Sequence, residues 1–289
     1  MLRIVRFLPL VMLVAFVAWC SASSDRRREA APQRTELTEL MLQQGLISTG
    51  SPRSEALADA ARVAGASGMN QLLHSVAAQA SPEALRWIVA HGADPASVGT
   101  PQGVPLLQQA ARQPSFVRMD YFLGLGLDAR QRGPGGDTVL HVAARAGLDA
   151  RVLQLLLSKG LKLTDVNDAG QTAVHVAALK SLGPLVQAGA DVDAVDALGR
   201  SALHLAAAEK RADLVVELVR LRASVFKTDN RQRTPLHLAA QSRCEPCVDA
   251  LLAADAPRSA RDSDGLTARD LAQARRSNNS RYRDWTERL

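Results

Sequence analysis

The chain has 289 residues, of which 47% are hydrophobic and only 3% aromatic. A core with so few aromatic rings must be built from Ala, Leu and Val, which favours closely packed helices over an aromatic-filled sandwich or barrel. The formal charge of +6 lies in the two ends, because residues 1–35 carry +4, residues 258–289 carry +3 and the residues between them carry −1. Basic ends attract nucleic acid or anionic lipid, or serve as solvated tails. Neither end interleaves aromatic residues with its basic residues in the pattern that stacking on nucleic-acid bases requires.

Residues 1–22 have the pattern of a signal peptide or a membrane anchor. Arg3 and Arg6 precede an apolar run of 13 residues, 7–19, which suits a signal peptide and is short for a transmembrane helix of roughly 20 residues. Cys20 closes a segment that resembles a bacterial lipoprotein box, so lipidation is an alternative. The arginines at 26–28 resist translocation, so an uncleaved anchor of opposite orientation is a second alternative to export.

We therefore expect a periplasmic or secreted protein, or one tethered to a membrane by its amino terminus. The Ala- and Arg-rich composition with a short export signal indicates a bacterial source. Residues 23–35 have no apolar face and are predicted to be a flexible linker. Residues 36–67 are predicted to form an amino-terminal helical cap, and residues 276–289 a basic carboxy-terminal tail.

Five of the six histidines belong to an internal repeat. Each strong copy has the form Thr/Ser-x-x-His-x-Ala-Ala. These copies are centred on His141, His175, His204 and His237. Weaker copies are centred on His74, Gln108 and Asp270, so that successive spacings are 34, 33, 34, 29, 33 and 33 residues. A period of this size is typical of stacked helical repeats.

Each unit contains two short apolar-periodic segments, which predict two helices, and most units close with a glycine that can adopt the left-handed conformation. Arg222 and Asp255 stand where the other units have this glycine, so we predict slight backbone strain or a different helix closure at both. The unit at 172–200 is four or five residues short. We interpret its residues 182–184 as a turn that replaces part of the inter-helix region, and expect a truncated helix there.

Residues 234–240, Thr-Pro-Leu-His-Leu-Ala-Ala, match the signature of ankyrin-repeat proteins without a mismatch. The chain resembles this family over residues 68–275, with about six repeats, of which the last is degenerate. The resemblance implies an all-α ankyrin-repeat solenoid of stacked helix-turn-helix units with β-hairpin-like loops. It also implies a non-enzymatic scaffold or adaptor that binds another protein on its concave face. We expect a monomer that requires no cofactor and binds no specific nucleic acid.

The repeat register places certain side chains at loop tips and at the ends of first helices, where a partner would touch them. Asp196 is one loop-tip residue. The predicted partner-binding residues are Arg112, Arg130, Arg132, Arg145, Lys180, Arg200, Glu209, Lys227, Arg231, Arg233 and Gln241.

The motif histidines His141, His175, His204 and His237 are predicted to be structural. In ankyrin repeats this residue fastens the loop by hydrogen bonds, and stacked helices lie too far apart, at roughly 8–10 Å, for consecutive histidines to share one zinc ion. No phosphate loop, nucleophile elbow or metal-binding helix motif is present, so we expect no enzymatic activity.

Cys244 and Cys247 form a Cys-x-x-Cys pair without a second pair to complete a zinc site. The pair is a candidate disulfide, and the alternatives are two free thiols or a redox function. Two other functions therefore remain open from the sequence. One is a redox-responsive thiol protein, and the other is a binder of anionic polymers or membrane surfaces through the Arg-rich ends.

Overall fold

A computed structural model describes residues 69–70, 73–74, 77–78, 82–90, 92–96, 103–274 and 289. The chain divides into two compact units, Met1–Pro134 and Gly135–Leu289. The predicted segments 1–22 (with Cys20), 23–35 and 36–67 lie outside the described residues, as does the tail 276–289 apart from its last residue. The described residues form helices and turns without strands, which confirms the all-α fold class. None of the helices in these ranges has the length and apolar composition that a membrane crossing needs.

The first unit contains α1 (Pro82–Ala90), α2 (Leu106–Ala111) and α3 (Phe116–Gly124). Met119 and Phe122 of α3 are fully buried, as their three-residue spacing on one helix face predicts. Gln108 of α2 stands at the motif position and donates from Nε2 to the carbonyl oxygen of Gln131 over 3.2 Å. A side chain at Gly133 would collide with Gln108, so this weak copy of the repeat still ties its helix to the following loop.

The second unit is a series of repeats, each named here after its motif histidine. Its helices are α4 (Val139–Ala146), α5 (Ala150–Ser158), α6 (Leu179–Gln187), α7 (Ala202–Ala208), α8 (Ala212–Arg220), α9 (Pro235–Ser242), α10 (Glu245–Ala253) and α11 (Ala268–Ala274). First helices pack on first helices, in the order α7, α9, α11. Second helices do the same, in the order α5, α6, α8, α10. The repeats therefore form two layers of helices.

Residue size explains the close packing of the two layers. The Ala pairs of the first helices, such as Ala143 and Ala144, are completely buried and present no bulk that would separate neighbouring helices. The second helices bury larger residues on one face, as Val152, Leu153 and Leu156 do in α5. Full burial of each such side chain contributes about 1.5–3 kcal/mol, and the neighbouring repeat supplies the covering surface.

The short His175 repeat has lost its first helix. Residues 173–176 form only a turn, and the chain then enters α6, which has nine residues like α5. The sequence-based prediction of a turn at residues 182–184 is wrong, because Gly183 and Pro184 lie inside α6. The expected truncation is present but falls on the first helix. The backbone amide of Ala178 and the hydroxyl of Ser181 donate to the carbonyl oxygen of Ala144, over 2.9 and 2.8 Å, and close the gap against α4.

Left-handed backbone recurs at three positions of the repeat. The second helices end in it, and Arg222 (φ 68°) and Asp255 (φ 60°) adopt it without being glycine, which confirms the predicted strain. Three more residues adopt this conformation without having been predicted to do so. Lys210 and Arg243 follow first helices, where the His141 repeat has Gly147, and Gln232 occupies a loop glycine position.

Replacing Arg222 by glycine should raise the free energy of unfolding by about 0.5–1 kcal/mol. The left-handed conformation costs an L-residue about 1–2 kcal/mol, and the greater freedom of glycine in the unfolded chain offsets part of that gain. The midpoint of urea unfolding measures the change. Gln154→Gly on the exposed face of α5 is the control and should lose about 1 kcal/mol. A loss of stability in Arg222→Gly would show that the arginine is not strained.

Candidate interaction surface

Each motif histidine joins two consecutive repeats. Its Nδ1 atom accepts from the backbone amide of the Thr or Ser three residues earlier, over 3.1–3.3 Å. The hydroxyl of that residue lies 2.8–3.0 Å from the same nitrogen. The Nε2 atom lies 2.7–3.2 Å from a carbonyl oxygen in the next loop. The four carbonyl partners are Gln171, Arg200, Arg233 and Leu266.

These partners determine the protonation of the ring. A backbone amide can only donate and a carbonyl oxygen can only accept, so Nδ1 must be unprotonated and Nε2 must carry the proton. The histidines are therefore neutral in the folded chain. Burial lowers the pKa of His141, His175, His204 and His237 below the ordinary value, and the bond to the carbonyl oxygen opposes this only in part.

The last copy of the motif also needs a hydrogen-bond acceptor at the position of Nδ1. Asp270 replaces the histidine in the degenerate copy, and its Oδ2 accepts from the backbone amide and hydroxyl of Thr267 over 2.9 and 2.8 Å. A carboxylate reproduces the acceptor role of Nδ1 but has no donor for a following loop. Gln108 in the first unit keeps that donor. The residue type at the motif position thus follows the hydrogen bonds that it makes: histidine accepts and donates, Asp270 accepts, and Gln108 donates.

The loop before each motif is held by one buried or half-buried Asx side chain. Its Oδ1 accepts from the backbone amides two and four residues later, over 2.9–3.0 Å. These anchors are Asn167, Asp196, Asp229 and Asp262. The prediction that Asp196 faces outward is wrong: only 6% of it is exposed, because the turn folds its backbone amides around the carboxylate.

The loop tips are hydrogen-bonded to one another in a ladder. Four successive contacts of 2.9–3.1 Å join each tip to the one before it, donated by the amides of Asp168, Ala197, Asn230 and Ser263. A Cβ at Gly170 would collide with Ala197, so the neighbouring tips lie in contact. The three middle tips, at 168–169, 197–198 and 230–231, are therefore hydrogen-bonded to a neighbouring tip on both sides.

Arg200 and Arg233, both predicted to contact a partner, form salt bridges within their own loops. Nε and Nη2 of Arg233 donate to Oδ2 of Asp229 over 2.9 and 2.7 Å, and Arg200 binds Asp196 in the same way. Burial raises the pKa of Asp229, but hydrogen bonds from the Arg233 side chain and nearby backbone amides outweigh it, so the pKa lies below its ordinary value. These two arginines stabilise the loops.

The other predicted partner-binding residues are placed as follows. Arg145, Lys180, Glu209, Lys227 and Arg231 are exposed in the second unit, although Arg145 also binds Asp137 over 3.0 Å. Gln241 is half-buried. Arg112, Arg130 and Arg132 are exposed in the first unit.

Sequence reasoning missed the apolar side chains at the tips. Val166 and Val195 stand immediately before the Asx anchors of two consecutive loops, and Leu198 stands two residues after the second anchor. They are 41%, 47% and 55% exposed. We call these three residues the tip cluster. The signal that could have identified them is the periodic register, because it places the loop tips outward.

Cys244, the residue that precedes α10, and Cys247, in the first turn of α10, are joined as a disulfide. Sγ of Cys244 also accepts from the backbone amide of Cys247 over 3.3 Å at the start of α10. Both residues are buried, which suits a covalent closure of the turn better than exchange with another protein's thiols. Within the described ranges, no cluster of three or more His, Cys, Asp or Glu residues could hold a metal ion.

Comparisons with known families match this architecture. Residues 135–170 match a model described as an ankyrin repeat, and residues 179–262 match one described as ankyrin repeats in three copies.

The matches to individual proteins each cover about half of this chain. It is 34% identical over 141 residues to the human neurogenic locus notch homolog protein 1, a match that covers 47% of this chain and 6% of that protein. It is 35% identical over 148 residues to the Drosophila melanogaster tyrosine-protein kinase Shark, covering 49% and 16%. The Caenorhabditis elegans protein glp-1 is 33% identical over 156 residues, covering 47% and 12%. The chain thus spans less than a fifth of each relative. All three are animal proteins and give no support to a bacterial source.

The neutral histidines predict that stability falls on mild acidification. The unfolded chain has histidine pKa values of about 6.5, whereas burial lowers them in the folded chain. Between those values only the unfolded chain binds the extra protons, so the free energy of unfolding decreases as pH falls from about 7 to 5. The depressed carboxylate pKa values of Asp196 and Asp229 contribute only at lower pH, below about 4.

His204→Gln isolates one of these groups. Glutamine supplies the same donor, as Gln108 does in its own repeat, but it does not titrate. The variant should lose less stability than the wild type between pH 7 and 5, as measured by urea unfolding at each pH. Equal losses in the two proteins would show that the fold does not lower the pKa of His204.

Two substitutions at Asp229 separate its two roles. Asp229→Asn keeps an oxygen for the backbone amides, as Asn167 does in its loop, but loses the salt bridge to Arg233. It should cost about 1–2 kcal/mol, and Asp229→Ala should cost about 1–2 kcal/mol more. Thermal or urea unfolding measures both. Equal costs for the two variants would mean that the amide contacts contribute nothing.

Proposed function

We propose that this chain, whose residues 135–170 and 179–262 are ankyrin repeats, is a non-enzymatic scaffold that holds another protein on its loop tips and first-helix ends. Ankyrin repeats are a general protein–protein interaction module. The observation that carries the proposal is the tip cluster, Val166, Val195 and Leu198, which is exposed on a hydrogen-bonded loop ladder.

The physical argument rests on composition and rigidity. Exposed apolar side chains are unfavourable in water, and their burial against a partner favours binding. Protein interfaces combine an apolar centre with a polar rim, and here Lys180, Glu209 and Arg231 are exposed on the same repeats or on the next one along the chain. The ladder fixes the tips before binding, so little conformational entropy is lost on association.

The same contacts support the absence of catalysis. A general acid or base must be free to exchange a proton with a substrate. The motif histidines use both ring nitrogens for structural bonds, and Asp196 and Asp229 are tied to arginines. The repeated polar residues of the second unit are thus committed to holding the fold.

We further propose that the chain is exported or tethered to a membrane by residues 1–22. The charged start, the apolar run and the small residues that follow support export. The disulfide between Cys244 and Cys247 also supports it, since such bonds persist in oxidising compartments. The burial of both sulfurs disfavours the redox alternative.

Quantitative co-purification tests both whether the chain binds another protein and whether the tip cluster makes the contact. The full chain, tagged and expressed in its own cells, is compared with the triple variant Val166→Ser, Val195→Ser, Leu198→Ser. The control is Val216→Ser, which removes an equally exposed valine from α8.

We expect one or a few proteins to be recovered with the wild type and the control, and at least tenfold less of them with the triple variant. A loss of this size corresponds to about 1.4 kcal/mol of binding free energy. Unchanged recovery with a triple variant that unfolds at the wild-type urea midpoint would contradict the proposed face.

A further inference from the structure

We infer that the short His175 repeat opens locally while the repeats that follow it stay folded, and that this opening releases the loop that carries Val195 and Leu198. The open form is a minor state in equilibrium with the folded chain. The inference concerns the chain without a partner, so it stands or falls separately from the proposed function.

The layer of first helices is interrupted at this repeat. Residues 173–176 form a turn, held by backbone bonds from His175 to Thr172 over 3.1 Å and from Ala177 to Val174 over 3.4 Å. In the repeats that follow, the first helices α7, α9 and α11 pack on one another. Because each repeat of such a stack is stabilised by its neighbours, the loss of one helix weakens the packing at this point of the layer.

The helix that the short repeat retains contains two poor helix formers. Gly183 and Pro184 lie in the middle of α6, and glycine and proline have the lowest helix propensities of all residues. Pro184 has no backbone amide, so the carbonyl oxygen of Lys180, four residues earlier, lacks the usual hydrogen bond within the helix. The second helices on either side, α5 and α8, contain neither glycine nor proline. Of these three helices, α6 is therefore the one that opens most easily.

The start of α6 is bound to α4 through the carbonyl oxygen of Ala144. The amide of Ala178 and the hydroxyl of Ser181 both donate to this oxygen, and Ser181 is completely buried. A similar hydroxyl contact joins α9 to α7, where Ser242 donates to the carbonyl oxygen of Ala207 over 2.9 Å. There it adds to the packing of two first helices, whereas in the short repeat it replaces such packing.

The end of α6 holds the loop that carries Val195 and Leu198. The amide of Ala190, at the start of this loop, donates to the carbonyl oxygen of Leu185 in α6 over 3.0 Å. Further along, the amide of Ala197 donates to the carbonyl oxygen of Ala169 in the preceding loop over 3.1 Å. When α6 opens, the loop loses its attachment to the helix, and we expect this bond between the two tips to open with it. The opening thus alters the tip cluster, whose residues lie on both loops.

Hydrogen–deuterium exchange of the full chain tests the inference. Exchange is read by mass spectrometry with fragmentation, so that the amides of α6, α8 and Ala197 are resolved, and each rate is expressed as protection relative to the unstructured sequence. Gly183→Ala raises the helix propensity of α6 without a clash, because a Cβ there meets no atom within 4 Å. Gly124→Ala is its control, since Gly124 in α3 is equally open.

A second pair of variants acts in the opposite direction. Ser181→Ala removes the hydroxyl contact to Ala144 and leaves that oxygen bonded to the amide of Ala178. Ser242→Ala is its control, because it removes the similar contact between α9 and α7. Urea unfolding checks that every variant is folded.

We expect the amides of α6 to be at least about tenfold less protected than those of α8. Gly183→Ala should increase the protection of α6 and of Ala197 by about fivefold, and Ser181→Ala should decrease both by about fivefold. Neither variant should change the protection of α8, and neither control should change that of α6.

Equal protection of α6 and α8 in the wild type would overturn the inference. So would an equal increase in both helices with Gly183→Ala, because the opening would then be unfolding of the whole unit. Unchanged protection of Ala197 in Ser181→Ala would also overturn it, since the loop would not follow the helix. None of these outcomes bears on the proposed function, which the co-purification decides.

Discussion

The hydrogen bond from each motif histidine to the carbonyl oxygen of the next loop is the contact on which the rest of the second unit depends. It joins the start of one repeat to the turn of the next, at 2.7–3.2 Å in four successive places. The ring can make it only as the neutral tautomer with the proton on Nε2. This bond fixes the register of the loops, and the register in turn allows the tips to form their own ladder.

A surface built in this way suits recognition. The side chains at the tips project from a backbone that is bonded on both sides, so they meet a partner in nearly their final positions. The strongest candidates for contact are apolar, at Val166, Val195 and Leu198, and they lie beside exposed charges that select among partners. Several polar groups that look available in the sequence, such as Arg200 and Arg233, stabilise the loops themselves.

The sequence predicted the repeat, its fold and the position of the histidines, because these features recur with a fixed period and each copy supports the others. It also located the shortened unit and the strain at Arg222. It could not show which helix the deletion removes, since Pro184 usually marks a turn but fits inside α6 here. The burial of Asp196 was equally hidden, because it depends on backbone amides that converge only once the turn has formed.

The exposed apolar residues at the loop tips were missed for the same reason, because their exposure depends on the folded chain. Exposure of an apolar side chain depends on the three-dimensional neighbours that fail to cover it, and no local pattern distinguishes Leu198 at a tip from a buried leucine in a helix. The register gives its direction only after the loops have been aligned between repeats.

Site-specific photo-crosslinking in the protein's own cells tests the central claim most directly. A photoreactive amino acid replaces Leu198 at a loop tip or Val216 on α8, and the crosslinked products are identified by mass spectrometry. We expect a discrete protein adduct from position 198 and none of the same mass from position 216. An adduct from position 216 alone, or no protein adduct from position 198, would contradict binding through the loop tips.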